Sequence, residues 1–172
     1  MNRLLFSSQG RIARNRFWQG MVLLTVASTI VSGGAVMLGT LFGLLSYALI
    51  YPYICVYGKR LHDAGLTAWW VIAVWLGTTV FNIVASMILT PFFMGEEERL
   101  IQEEMTERML SGDWSGMTEG AEILAAQLLP LTLFLIVLSN FAAALIVGAL
   151  KTDPNENKHG PVPGSSAADT FG

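Results

Sequence analysis

Twelve residues lying between two long apolar runs gather the side chains best suited to chemistry: Lys59-Arg60-Leu61-His62-Asp63-Ala64-Gly65-Leu66-Thr67-Ala68-Trp69-Trp70. Two bases, a histidine and a carboxylate within five positions can grip an anion, pair with one another or contribute metal ligands. The tryptophan pair that follows suits a membrane–water interface. Enzymatic chemistry finds little here. Thr67 is the cluster's single hydroxyl, and no nucleophile, metal set or cofactor loop emerges elsewhere, so neither a catalytic residue nor a cofactor is expected. His62 and Asp63 are sequence neighbours, which on a helix point about 100° apart and do not face each other. His62 and His159 are the two histidines of the chain; even with Asp63 as a third donor they make a thin zinc set, and no metal site is expected.

Two readings of these residues remain. In the structural one, Asp63 pairs with Arg60 three residues earlier, or with Arg11 or Arg14 from the first segment, while Gly65 caps a short helix and His62 completes the hydrogen bonding. In the other, Arg11, Arg14 and Arg60 grip the phosphate of an anionic lipid headgroup with Trp69 and Trp70 beside it, and Lys158 and His159 join from the tail.

The elements that must position this cluster follow from composition. With 53% hydrophobic residues, 13% charged and a mean hydropathy of +0.53, the 172-residue chain carries more apolar surface than a water-exposed fold can cover, which makes it an integral membrane protein. A net charge of -3 argues for no nucleic-acid partner. Cys55 is the lone cysteine, so no intrachain disulfide is possible. The first nine residues lack the apolar core and small-residue site of a cleaved signal, and the first span is expected to direct insertion itself.

Arg3, Arg11, Arg14 and Arg16 precede an uncharged run from Phe17 to Gly58, about 63 Å as a helix at about 1.5 Å per residue. That is twice the bilayer core, so two antiparallel spans are expected near 17–36 and 39–58, with the turn at Ser32-Gly33-Gly34 or Gly39-Thr40. Ser28 with Ser32, Gly39 with Gly43, and Asn140, Ala144 and Gly148 have the spacing of close packing seams. A third span covers 69–93 and ends near Pro91. Between Glu96 and Glu122, nine carboxylates face two bases. Leu100, Ile101, Met105 and Met109 predict a short amphipathic helix there, followed by a loop over 111–116. A fourth span is expected over 123–150, kinked at Pro130. Residues 1–163 thus form one membrane domain, and 164–172 a disordered tail.

Four spans place the N-terminus, the Lys59-Arg60 segment and the tail on one side with eight of the ten Lys and Arg residues. The positive-inside rule makes that side cytoplasmic and the acidic segment 95–122 extracytoplasmic. Within the predicted spans there is no Asp, Glu, Lys, Arg or His, which weighs against an ion-coupled transporter.

Three polar segments therefore meet on one face: Gly10-Arg11-Ile12-x-Arg14-x-x-Phe17-Trp18, Arg60-Leu61-His62-Asp63-x-Gly65 with Trp69-Trp70, and Asn157-Lys158-His159-Gly160-Pro161-x-Pro163. In these motifs the chain resembles the bacterial inner-membrane domain-of-unknown-function family eight hundred and five, over residues 10 to about 90 and, in outline, the last span and tail. Lys59, Thr67-Ala68 and His159 depart from the family pattern, and the acidic segment is longer than is usual in it. The resemblance implies a multi-pass protein of the bacterial inner membrane and carries no reaction with it. The expectation is a non-enzymatic, all-α four-span bundle whose cytoplasmic network holds an anionic lipid or a membrane protein partner; the alternative is a small permeation unit acting as a homo-oligomer.

Overall fold

The computed structural model describes residues 2–165, which form eight helices. Four segments are long and apolar enough to cross a membrane: Arg14–Leu38, Leu41–Asp63, Trp70–Phe93 and Leu129–Gly148. They assemble around α2 (Arg14–Leu38), which packs against α4 (Leu45–Asp63) on one side and α8 (Leu129–Gly148) on the other. Helix α5 (Trp70–Phe93) lies on α8 and touches α4. The tight core sits at one end only. Phe17, Met21 and Leu24 of α2 meet Val56, Tyr57 and Leu61 of α4, Val71 of α5, and Ala143, Ala144 and Val147 of α8. The seam expected on α8 is the contact with α2: a Cβ added at Gly148 would lie 3.2 Å from the Phe17 ring and 3.3 Å from Trp18 Nε1. Ser28 and Tyr53 hydroxyls, 3.0 Å apart, bridge α2 and α4. Toward the opposite end the helices expose Val26, Ile30, Leu44, Val80 and Ile88, as surfaces facing lipid do.

Several boundaries differ from expectation. Helix α2 runs through Ser32-Gly33-Gly34, where a Cβ on Gly34 would overlap the Phe42 ring of α3 (Thr40–Gly43); the chain reverses at Gly39, with φ +91°. The second span does not stop at residue 58. It continues to Asp63 because a C-terminal motif fixes its end there: Leu66 N–H donates to Leu61 C=O at 2.9 Å and Gly65 N–H to His62 C=O at 3.0 Å, with Gly65 at φ +76°. This satisfies the last carbonyls of the helix. Lys59, Arg60, His62 and Asp63 consequently occupy the last turns of a helix long and apolar enough to cross a membrane, where the sequence places a loop after it.

The acidic segment forms a helical hairpin, α6 (Glu96–Ser111) and α7 (Trp114–Gln127), at the end of the bundle away from the core. The loop over 111–116 shrinks to Gly112-Asp113, since Asp113 caps α7 by accepting from Gly116 N–H at 3.0 Å. The fourth span starts at Leu129 instead of 123. Pro130 falls in its first turn, where its missing N–H costs nothing, and kinks no helix interior. A further helix, α1 (Asn2–Phe6), lies on α4. Of the expected disordered tail, 166–172 lie outside the described residues.

Candidate functional site

The three polar segments meet at the tightly packed end, and Asp63 is their centre. Its side chain is 0% exposed, as is that of Arg60, and Arg11 is 1% exposed. One carboxylate oxygen accepts from Arg11 Nε at 3.2 Å. The other accepts from Arg60 Nη1 and, at 2.7 Å, from the Thr152 hydroxyl. The Asp63 backbone carbonyl takes Asp153 N–H at 2.8 Å and Arg11 Nη2 at 3.3 Å. One residue at the end of a transmembrane helix therefore holds both the segment before α2 and the segment after α8.

Each guanidinium is spent on more than the carboxylate. Arg60 Nη2 donates to the carbonyls of Gly148, at 3.2 Å, and Leu150. These belong to the C-terminal end of α8, whose last carbonyls have no partner within the helix and whose dipole favours a cation. Arg11 donates from Nη2 to Asp153 C=O at 2.6 Å and from Nη1 to Asn155 C=O at 2.7 Å and Gly160 C=O at 3.4 Å. Arg60 thus finishes α8, and Arg11 wraps the chain that leaves it.

The tail is shaped by its own short polar residues. Asp153 accepts from Asn155 N–H at 3.1 Å and from the Asn157 amide at 3.1 Å; these bonds, the backbone one first, hold its carboxyl below the usual carboxylate range. The same Asn157 amide reaches His62 C=O at 3.2 Å, and Asn157 and Gly160 bridge each other's backbone. His159 then lies flat on His62, with ring centroids 3.7 Å apart and 5° between planes. His62 Nδ1 donates to Gly10 C=O at 3.2 Å. The parallel stack points the ring nitrogens past each other, Asp63 is turned to its arginines, and no group of three metal-capable side chains exists among the described residues.

Of the residues the sequence singled out, Arg11, Arg60, His62, Asp63 and His159 come together. Arg14 takes no part in these hydrogen bonds and is exposed, as is Lys158; Trp69 is 79% and Trp70 55% exposed at the rim. Sequence reasoning missed Thr152 and Asp153, although Asp-Pro-Asn after a span is a recognisable turn signal. Lys59, counted in the cluster, is turned away from it: its Nζ is buried against α1 and donates to Arg3 C=O at 2.5 Å and Leu4 C=O at 2.6 Å, closing that helix.

The His62–His159 stack makes the docking of the tail sensitive to acid. Burial, then the charges of Lys158 and Arg11, hold His159 below the ordinary histidine range. A released tail therefore binds a proton more readily than a docked one. Docking is at full strength above about pH 6.5 and weakens as the pH falls through the lowered value of the docked state. Proteolysis of residues 149–161 is expected to accelerate between pH 7.5 and 5.5, and His159→Phe, which keeps the stack without the proton, to remove most of that acceleration. Equal cleavage at both pH values in the wild type would refute it.

Four apolar helices and a closed polar knot at one end define a multi-pass membrane protein of the helix-bundle class. The chain belongs to the family described as Protein of unknown function (DUF805), whose profile matches residues 5–161, a stretch that includes every residue of the knot named above. No curated protein and no solved structure matches the chain.

Proposed function

We propose that this is a non-enzymatic protein of the bacterial inner membrane, with both termini in the cytoplasm, the α6–α7 hairpin outside, and a rigid cytoplasmic face that engages anionic phospholipid. What carries the reading is a division among the cations. Arg11 and Arg60 are buried and spent on Asp63 and backbone carbonyls, so they build the face and do not meet a headgroup. Arg14 and Lys158 stay exposed on the same side, with Trp69 and Trp70 exposed at the rim, the residue types that hold a protein at an anionic leaflet. The permeation alternative finds no comparable support, since the packed end is closed by side chains of all four spans.

In nanodiscs the protein is expected to melt about 4 °C higher in phosphatidylglycerol than in phosphatidylcholine, a difference that high salt reduces. Identical melting in the two lipids would remove anionic lipid from the proposal.

A further inference from the structure

Along the outside of the bundle, α2 and α8 leave an apolar groove with a volume of about 450 Å³. Trp18, Val22 and Val26 form one wall, and Val137, Phe141 and Ala144 form the other. Val22, Val26 and Phe141 remain 61%, 50% and 53% exposed, so nothing among the described residues fills it. The groove extends from Trp18 to Ile30, a rise of about 18 Å along α2. One leaflet of hydrocarbon is about 15 Å deep. Its length is that of one acyl chain.

The charge at its mouth selects the kind of lipid. Arg14 sits one turn before Trp18 on the same face of α2 and is exposed. The first turn of α2 holds no acidic residue, and its cap, Ala13, offers no side-chain acceptor. On the other side, Trp18 lies against Gly148, and three residues further on Lys151 is exposed. An indole at headgroup level flanked by cations suits a phosphodiester above an apolar slot.

We propose that the α2–α8 groove is a binding site for one anionic phospholipid of the inner leaflet, with an acyl chain between Val22, Val26 and Phe141 and its phosphate at Arg14 and Lys151. The site rests on the reading given above that the cytoplasmic face engages anionic lipid, and gives it a location. It differs from the Asp63 knot, whose arginines are buried and donate to Asp63 and to backbone carbonyls.

Native mass spectrometry of the full chain, loaded with phosphatidylglycerol or phosphatidylcholine, tests it with four variants. Wild type is expected to retain one phosphatidylglycerol and to prefer it. Arg14→Gln should weaken retention about fivefold, and Val26→Trp or Val22→Trp, filling the groove, should abolish it. Val80→Trp, on the exposed face of α5, serves as the control that keeps it. A melting point near that of wild type identifies the groove variants that are folded, and two positions guard against one failing to fold. Retention unchanged in both groove variants overturns the site. So does saturation by glycerol phosphate alone, which needs no acyl groove, or a lipid-free dimer broken by the same substitutions, which would make the groove a contact between copies. Equal retention of both lipids overturns the anionic assignment. If the nanodisc preference for phosphatidylglycerol survives in a folded Val26→Trp variant, the groove fails while the wider reading stands; if wild type shows no preference, the wider reading fails.

Discussion

Asp63→Asn is expected to lower the thermal midpoint of the protein in detergent by about 10 °C, the largest effect of any conservative change in the chain. The amide keeps the volume of the carboxylate and removes its charge, so no cavity confuses the result. Two guanidiniums that are 0% and 1% exposed are left without a counter-charge, and breaking a buried pair from one side costs about 3–5 kcal/mol. For a chain of this size each kcal/mol shifts the midpoint by about 2–4 °C. The new amide N–H groups would also face Arg11, Arg60 or Thr152, which are all donors to Asp63 in the native arrangement. A melting curve within about 2 °C of wild type would contradict this reading of Asp63.

Arg11→Ala is expected to act differently, releasing the tail while the bundle stays assembled. Arg60 still pairs with Asp63 and still caps α8 in this variant, so the helix packing keeps its own polar closure. What disappears is the side chain that ties the carbonyls of Asp153, Asn155 and Gly160 to the end of α4. Hydrogen bonds from a charged donor contribute about 1.5–3 kcal/mol each, and about 2.7 kcal/mol is a hundredfold change in a local opening equilibrium. Amide exchange across 153–160 should therefore accelerate at least about a hundredfold, with exchange inside α2 and α8 nearly unchanged. Equal acceleration in the transmembrane helices would show that Arg11 holds the whole fold and not the tail alone.

The bundle is largely legible in the sequence, because span length and the short turn near Gly39 follow from the thickness of a bilayer. The pairing of Asp63 with Arg60 and a first-segment arginine could also be read, since a carboxylate between apolar runs needs cations and the topology brings few within reach. The boundary at Gly58 misled for a physical reason. A charged residue is expected to end a span, whereas here Arg60 pairs with Asp63 within the helix, Asp63 also takes Arg11 from before α2, Lys59 donates to carbonyls of α1, and the helix continues until Gly65 supplies a left-handed residue. Competition with backbone carbonyls was invisible as well: Arg60 capping α8 and Arg11 threading the tail depend on where the last span stops. The helical hairpin was half seen, as Asp113 reads equally well as a loop residue and as a helix cap until Gly116 N–H is found on it. The groove left no periodic signal, since Val22 and Val26 belong to the same apolar run as the residues that face the core.

The central claim is that the residues after α8 are a fixed part of the membrane-proximal face, held on Asp63. Hydrogen–deuterium exchange of the wild-type protein in phosphatidylglycerol nanodiscs tests it most directly, read at the amides of Asp153 and Gly160, which donate to Asp63 C=O at 2.8 Å and Asn157 C=O at 2.9 Å. Protection of these amides comparable with the last turn of α4, lost in Arg11→Ala, is the predicted result. Exchange at the rate of an unstructured chain in the wild type would mean that the tail is undocked and that the Asp63 network does not bind it.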